Sequence, residues 1–130
     1  MDIIEYITES KTRKVGGTSY TDKDLCAALM YDINEILEDG DLQEEVSVVE
    51  LWVHGSRMRG DYRPDSDIDV VVFYCSDETK EDALFNILNS EGIEIEGHKV
   101  DFNPIRVENE RDIKKYKEKS AKYDQEKLRK

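Results

Sequence analysis

The stretch HGSRMRGDYRPDSDIDVVVFY, residues 54–74, joins the end of one apolar segment to the start of another. Between these segments it holds three arginines, four aspartates, two glycines and two serines. A surface loop needs turn residues, but it does not need so much charge of both signs. The mixture therefore indicates a site rather than a plain connection. Its charged residues are Arg57, Arg59, Arg63, Asp61, Asp65, Asp67 and Asp69.

The two flanking segments are short, β-branched and apolar. VSVVELWV, 46–53, predicts a buried central strand, and DIDVVVFY, 67–74, predicts a second one. Because side chains alternate across a strand, Asp67 and Asp69 are expected to share one face. Two carboxylates on one rigid face repel each other and lose hydration, and either a bound cation or full exposure at the end of the strand relieves these costs. Oxygen ligands of this kind favour Mg²⁺ or Mn²⁺ over zinc.

A third carboxylate is predicted on a later strand. The segment GIEIEGHKVDFNPIRV, 92–107, indicates one or two strands, with a hairpin turn at Gly97. Asp101 lies in its apolar part and is expected to join the first two acids if the strands are neighbours. Three carboxylates around two metal ions suit phosphoryl transfer, in which the ions bridge a triphosphate and align a hydroxyl. Glu96 and Asp112 stay open as alternatives for the third acid.

Gly55 and Ser56 supply groups that suit a phosphate. Glycine lets the backbone approach closely, a serine hydroxyl can donate a hydrogen bond, and amides at the start of a helix favour anions. Arg57, Arg59 and Arg63 are predicted to neutralise the same phosphates. The alternative is that Arg57 or Arg59 only pairs with Asp61 and Asp65 on the surface. The mixed charge therefore fits a nucleotide site in which acids hold metal while amides and arginines hold phosphate.

The rest of the chain predicts helices on both sides of this region. Apolar residues at helical spacing predict a helix over 21–38, with Thr21 and Asp24 as its capping pair. A shorter helix is predicted over 82–89. A final, highly charged helix is predicted over about 108–129.

These elements predict one domain over residues 1–130 with a motif core at about 46–105. The fold class is α/β (α+β), with a mixed sheet of three to five strands and helices packed mainly on one face. Residues 9–20 are predicted to form a mobile loop. No segment is apolar enough to span a membrane.

Charge and cysteine content narrow the partners and the compartment. The net charge is −12; residues 111–130 carry nine Lys/Arg against four Asp/Glu, so residues 1–110 carry −17. An acidic body makes long nucleic acid an unfavourable partner, and the basic C-terminal helix is expected to be solvated. Cys26 and Cys75 lack metal-site spacing and predict unpaired thiols in the cytoplasm. The first fourteen residues do not have the pattern of a signal peptide.

The pattern Gly-Ser, ten residues, Asp-x-Asp, running from Ser56 to Asp69, resembles the signature of the polymerase-β-like nucleotidyltransferase superfamily, especially its minimal (MNT-type) members. The resemblance covers about residues 46–105 and implies a nucleotidyltransferase-type sheet. It implies that Ser56 contacts nucleotide phosphate, that Asp67 and Asp69 hold two Mg²⁺ ions, and that Asp101 is the third acid. It also implies transfer of a nucleoside monophosphate from a nucleoside triphosphate, usually ATP, onto a hydroxyl.

The acceptor of that transfer is left with several interpretations. The residues outside the motif core suffice for three helices but not for a second core, which points to a partner protein or to a small molecule at a homodimer interface. Minimal members resemble antitoxins that adenylylate a HEPN-type toxin on tyrosine, and this is the leading hypothesis. An aminoglycoside-like small molecule would suit the acidic body. A non-catalytic nucleotide-binding adaptor that caps a partner is the alternative of another class.

Overall fold

The computed structural model describes residues 12–129, with side chains described as far as residue 123. The first eleven residues, on which most of the signal-peptide prediction rests, lie outside the described part. Within it, no helix is both long and apolar enough to cross a membrane. The elements in chain order are α1 Asp22–Asp39, β1 Ser47–His54, α2 Ser56–Arg59, β2 Ile68–Cys75, α3 Glu81–Asn89, β3 Glu94–Ile95, β4 His98–Arg106 and α4 Glu110–Arg129.

The four described strands form one mixed sheet in the order β1-β2-β4-β3. β1 is antiparallel to β2, β2 is parallel to β4, and β3 is antiparallel to the first residues of β4. The parallel pair needs a crossover connection, which α3 supplies between β2 and β4. The predicted α+β class with a mixed sheet of three to five strands is thereby confirmed.

The prediction of a central strand at 46–53 is wrong in one respect, because β1 lies at the edge of the described sheet. The cause is that apolar side chains cover both of its faces. Val53 belongs to one apolar cluster and Trp52 packs against another on the opposite face. A strand covered on both faces has a continuous apolar run whether or not a neighbour pairs with each of its edges.

The core is divided between the two faces of the sheet. The larger cluster lies between the sheet and helices α1 and α3, and the smaller one lies beneath the start of α4. Alternate residues of β2 enter different clusters, as expected for an extended strand. Ile68, Val70, Val72 and Tyr74 enter the larger cluster, and Val71 and Phe73 enter the smaller one.

Helix α1 begins and ends as the sequence indicates. The side chain of Thr21 accepts a hydrogen bond from the backbone N–H of Asp24 at 3.2 Å, which confirms the predicted capping pair. The helix ends at Gly40, and Asp41 takes the left-handed conformation with φ 57°. Its buried face consists of Leu25, Leu29, Ile33, Ile36 and Leu37.

The described part of the segment predicted to be a mobile loop, residues 12–20, is packed against the rest of the fold. Val15 is fully buried in the larger cluster. Lys14 pairs with Thr21 in an isolated β-bridge. Ser19 donates from its backbone and its hydroxyl to Glu96, each at 2.7 Å. One buried valine and three polar links therefore hold a segment that looks like a loop in sequence.

The outer edge of β4 is closed by side chains rather than by a full strand, because β3 pairs only with its first residues. The side chain of Asn89 pairs with Phe102 as a strand would, accepting from its N–H and donating to its C=O, both at 2.9 Å. Pro104 has no N–H to satisfy. The N–H of Arg106 donates to Glu81 at 3.3 Å.

Candidate active site

The parallel register of β2 and β4 places two predicted site residues side by side. Asp69 pairs with Asp101, and His54 of β1 pairs with Asp69 from the other side. These side chains lie on the face opposite the larger cluster, because the residues next to Asp69 and Asp101 are buried in that cluster. The strand adjacency on which the prediction for Asp101 depended is therefore present.

Asp67 lies in a different setting from the one expected. β2 begins at Ile68, so Asp67 is the last residue of the preceding loop and not part of the strand. Its side chain is half-buried, as are those of Asp69 and Asp101. The acids therefore comprise two strand residues in register and one loop residue beside them.

The charge on Asp69 is unfavourable in this environment. Burial raises the pKa of its carboxyl, the nearby acids Asp101 and then Asp67 raise it further, and Arg59 partly offsets them. Among the described residues, none donates a hydrogen bond to these three carboxylates or forms a salt bridge with them. Packing alone does not account for three half-buried acids of which two oppose the charge on the third, with Arg59 offsetting them only in part.

The arrangement can be tested for fit to a divalent cation. Among the described side chains, those of residues 12–123, no three His, Cys, Asp or Glu are grouped closely enough to form a ready metal site. Asp101 and Asp67 nevertheless both act electrostatically on Asp69, and hard oxygen donors are the ligands that Mg²⁺ prefers. The donor set therefore fits such an ion, provided that the side chains rotate toward it.

Gly55 joins the Gly-Ser turn to this acid group. It has φ 88°, a conformation that residues with a side chain rarely adopt, and a Cβ atom there would lie 2.4 Å from Oδ2 of Asp69. Ser56 follows as the first residue of α2, and its half-buried hydroxyl makes no hydrogen bond to any described residue. The turn thus brings the Gly55 backbone against the carboxylate of Asp69 and places the Ser56 hydroxyl on the following residue.

The two arginines predicted to bind phosphate have different surroundings. Arg57 is 2% exposed, and its guanidinium donates to main-chain oxygens of Gly16, Pro64 and Ser66. It reaches a phosphate only if these loops rearrange. Arg59 forms a salt bridge with Asp61 at 3.2 Å and lies close enough to Asp69 to lower its pKa.

The two alternative third acids lie elsewhere. Glu96 is an exposed residue of the β3–β4 turn whose pKa is lowered by hydrogen bonds from Ser19. Asp112 accepts a hydrogen bond from the N–H of Glu108 at the start of α4. Neither is among the charges that shift the pKa of Asp69.

Sequence reasoning missed an aromatic wall on the same face of the sheet. Trp52 stacks on His54 with ring centroids 5.0 Å apart, and Tyr116 of α4 meets Trp52 edge-on at 6.3 Å. Asn103, two residues after Asp101, donates to the Tyr116 hydroxyl at 3.5 Å. The i, i+2 spacing of Trp52 and His54 was a signal for half of this wall, but nothing in the sequence placed Tyr116 opposite it.

Half-buried acids at the end of a sheet beside a Gly-Ser turn suit the handling of nucleoside phosphates. The family model of the nucleotidyltransferase domain matches residues 34–127, well over half of the chain. The chain therefore belongs to the nucleotidyltransferase domain family, whose members transfer a nucleotide and generally use a nucleoside triphosphate and a divalent metal. No curated protein and no solved structure matches it.

Proposed function

We propose that this nucleotidyltransferase moves AMP from ATP onto a hydroxyl group of a second molecule. The observation that carries the proposal is the position of Asp69. Its carboxylate is close enough to the Gly55 backbone that no Cβ atom fits there, and its pKa is raised first by burial and then by Asp101 and Asp67. The same carboxylate thus connects the turn that suits phosphate to the acids that suit metal.

The predicted acids, the Gly-Ser turn and Arg59 each have a role in this proposal. Asp67, Asp69 and Asp101 hold Mg²⁺, which when bound neutralises the triphosphate and favours departure of pyrophosphate. The Ser56 hydroxyl donates to a phosphate oxygen beside the Gly55 backbone. Arg59, whose charge already acts on Asp69, supplies a cation next to the same oxygens.

The proposed acceptor is a hydroxyl of a partner protein of the HEPN type. The resemblance of the motif to minimal nucleotidyltransferases supports this choice. The structure adds that α4 covers only one part of the site-bearing face, over Phe73 and Trp52, while Asp69 and Asp101 remain half-exposed. Half-exposed acids are accessible to a side chain on the surface of another protein.

A groove beside the site favours a second candidate acceptor, a small aminated polyol such as an aminoglycoside. It has a volume of about 450 Å³ and lies along the outer side of β4. Asn103, which lines it, is two residues from Asp101 in β4 and lies on the same face of the sheet. Carboxylates attract amines, side-chain amides bind hydroxyls, and an aromatic ring packs on a sugar ring. The lining residues are Glu81, Asp82, Phe85, Asn86, Asn103, Pro104 and Ile105.

Replacing the acids tests the transfer itself. Asp67→Asn and Asp69→Asn should each lower transfer of α-labelled AMP by about a thousandfold, since the metal supplies several kcal/mol of transition-state stabilisation. Circular dichroism should show the fold unchanged. Asp65→Asn is the matched control, because Asp65 is an exposed acid of the same loop, and it should keep full activity. Wild-type activity in Asp69→Asn would contradict the proposal.

The label also identifies the acceptor. Incubation of the chain with labelled ATP and a cell extract should mark a protein band, which mass spectrometry then assigns to a tyrosine. Label on an added aminoglycoside instead, lost in Glu81→Gln but kept in Glu78→Gln, would support the second candidate. If calorimetry detects binding of neither Mg²⁺ nor ATP, the non-catalytic adaptor becomes the better explanation.

A further inference from the structure

The side chain of Arg57 joins three segments that are far apart in sequence. Its Nη1 donates to the C=O of Gly16 at 2.8 Å, while Nε and Nη2 donate to the C=O of Ser66 at 3.0 and 2.8 Å. Nη2 also donates to Pro64 at 3.2 Å and to Nδ1 of His98 at 3.1 Å. These partners belong to the segment before α1, to the loop after α2 and to the β3–β4 hairpin.

Within the described part of the chain, these contacts satisfy a buried cation with main-chain oxygens and a ring nitrogen instead of a carboxylate. Arginine only donates hydrogen bonds, so Nδ1 of His98 is the acceptor and its ring proton lies on Nε2. A guanidinium presents its donors in a fixed plane, which a lysine ammonium cannot reproduce. The fixed geometry makes the three segments rigid relative to one another.

The two glycines of VGG, residues 15–17, leave room for the side chains of Arg57 and Tyr62. A Cβ atom on Gly17, which has φ 77°, would lie 2.5 Å from Nη1 of Arg57. A Cβ atom on Gly16 would lie 2.3 Å from the ring of Tyr62, and that ring covers the guanidinium at 5.0 Å. The glycine pair, which the transfer chemistry does not use, is thus explained by contact with Arg57.

The arginine lies between two residues of the proposed site. Ser56 is its neighbour in the chain, and its acceptor Ser66 directly precedes Asp67. We infer that Arg57 is a positioning residue: it holds the Ser56 hydroxyl and the Asp67 carboxylate at a fixed separation, without itself contacting the nucleotide. This inference rests on the proposed function, since it concerns the same nucleotide site.

A glycine pair of variants tests the inference without altering the arginine or the site. Gly17→Ala introduces a methyl group against Nη1, whereas Gly92→Ala introduces similar left-handed strain (φ 62°) with no atom within 4 Å. Gly17→Ala should weaken binding of a non-hydrolysable ATP analogue with Mg²⁺ about tenfold, the loss expected for one displaced hydrogen bond to a charged phosphate. Gly92→Ala should bind as the wild type does.

A conservative exchange of arginine for lysine tests the geometry of the guanidinium. Arg57→Lys keeps the charge but loses the planar set of donors, so it should raise the KM for ATP by a similar factor. Arg106→Lys, on an exposed residue at the other end of β4, should change nothing. Wild-type nucleotide affinity in both Gly17→Ala and Arg57→Lys would overturn the inference.

Amide hydrogen exchange separates failure of the inference from failure of the proposed function. In Arg57→Lys, exchange should increase in residues 13–20 and 60–66 and stay unchanged in β2. If the wild type binds no nucleotide, the proposed function fails, and these exchange rates still show whether the arginine joins the loops. Unchanged exchange in both segments would overturn the positioning role directly.

Discussion

The two faces of the sheet contrast in what covers them. The face toward α1 and α3 is mostly apolar: Ile68, Val70 and Phe102 are fully buried there. On the other face the same strands present acids at one end and aromatic residues at the other, and α4 covers only the aromatic end. A single strand, β2, thus contributes to a closed core with one set of side chains and to an accessible site with the other.

The contrast separates residues that maintain the fold from residues that are available for chemistry. Burial of apolar area on the closed face stabilises the domain by about 25 cal/mol per Å². The charge on Asp69, desolvated beside two other acids, works against stability. Changes on the two faces should therefore have effects of opposite sign on the free energy of unfolding, and the predictions below test this.

The largest effect is expected on the closed face. Phe102→Ala should lower the free energy of unfolding by about 3–5 kcal/mol, because it leaves a cavity where a fully buried ring had been. Urea denaturation measures the change. Phe85→Ala is the matched control, since that ring is 42% exposed, and it should cost less than about 1 kcal/mol. Equal losses would mean that the closed face is not the main core.

A smaller effect of opposite sign is expected on the site face. In the metal-free protein at neutral pH, Asp69→Asn should raise the free energy of unfolding by no more than about 1 kcal/mol, because water screens a half-exposed carboxylate. Thermal unfolding should show a melting temperature a few degrees higher. Added Mg²⁺ should stabilise the wild type but not the variant. A variant less stable than the wild type would contradict the electrostatic interpretation of the site.

The pH dependence of that difference follows from the raised pKa. The folded state binds the Asp69 proton more tightly than the unfolded state, so protonation favours folding. This contribution is complete below the ordinary pKa of 3.8 and is lost as the pH rises through the raised pKa. The stability advantage of Asp69→Asn should therefore be absent in acid and grow toward neutral pH. An advantage that is constant across this range would mean that Asp69 titrates normally.

The smallest effect is expected where α4 meets β1. Lys117 forms a salt bridge with Glu50 and lies 5.6 Å from the Trp52 ring centroid. Both charged side chains are more than one-third exposed, so Lys117→Ala should cost between about 0 and 1 kcal/mol, and less at high salt. Lys115→Ala, on an exposed position of the same helix, gives the baseline. A loss of several kcal/mol would show that α4 is essential to the fold.

Local patterns were sufficient to predict most elements. The Thr21–Asp24 cap, the Gly97 turn and the apolar alternation of β2 depend on neighbours in the chain, so the sequence displays them directly. The edge position of β1 does not depend on neighbours in the chain. A strand covered by apolar side chains on both faces has the same apolar sequence at the edge of a sheet as at its centre.

The site was predictable only where its features depend on residues that are neighbours in the chain. The spacing from Ser56 to Asp67 lies within one segment, and the family resemblance was recognised from it. The burial of Arg57 was not predictable, since its acceptors are main-chain oxygens that any residue could supply. β2 starts one residue after Asp67. The start of a strand depends on hydrogen bonding to its neighbours, which cannot be predicted from the sequence of one segment.

The closed outer edge of β4 has a consequence for self-association. An unpaired strand edge is a template on which another chain can add a strand and begin to aggregate. Here an added strand would have to displace the Asn89 side chain from Phe102, and would find no donor at Pro104. Growth of the sheet on this side is therefore blocked, and Asn89→Ala should turn a dispersed protein into one that forms β-rich assemblies at high concentration.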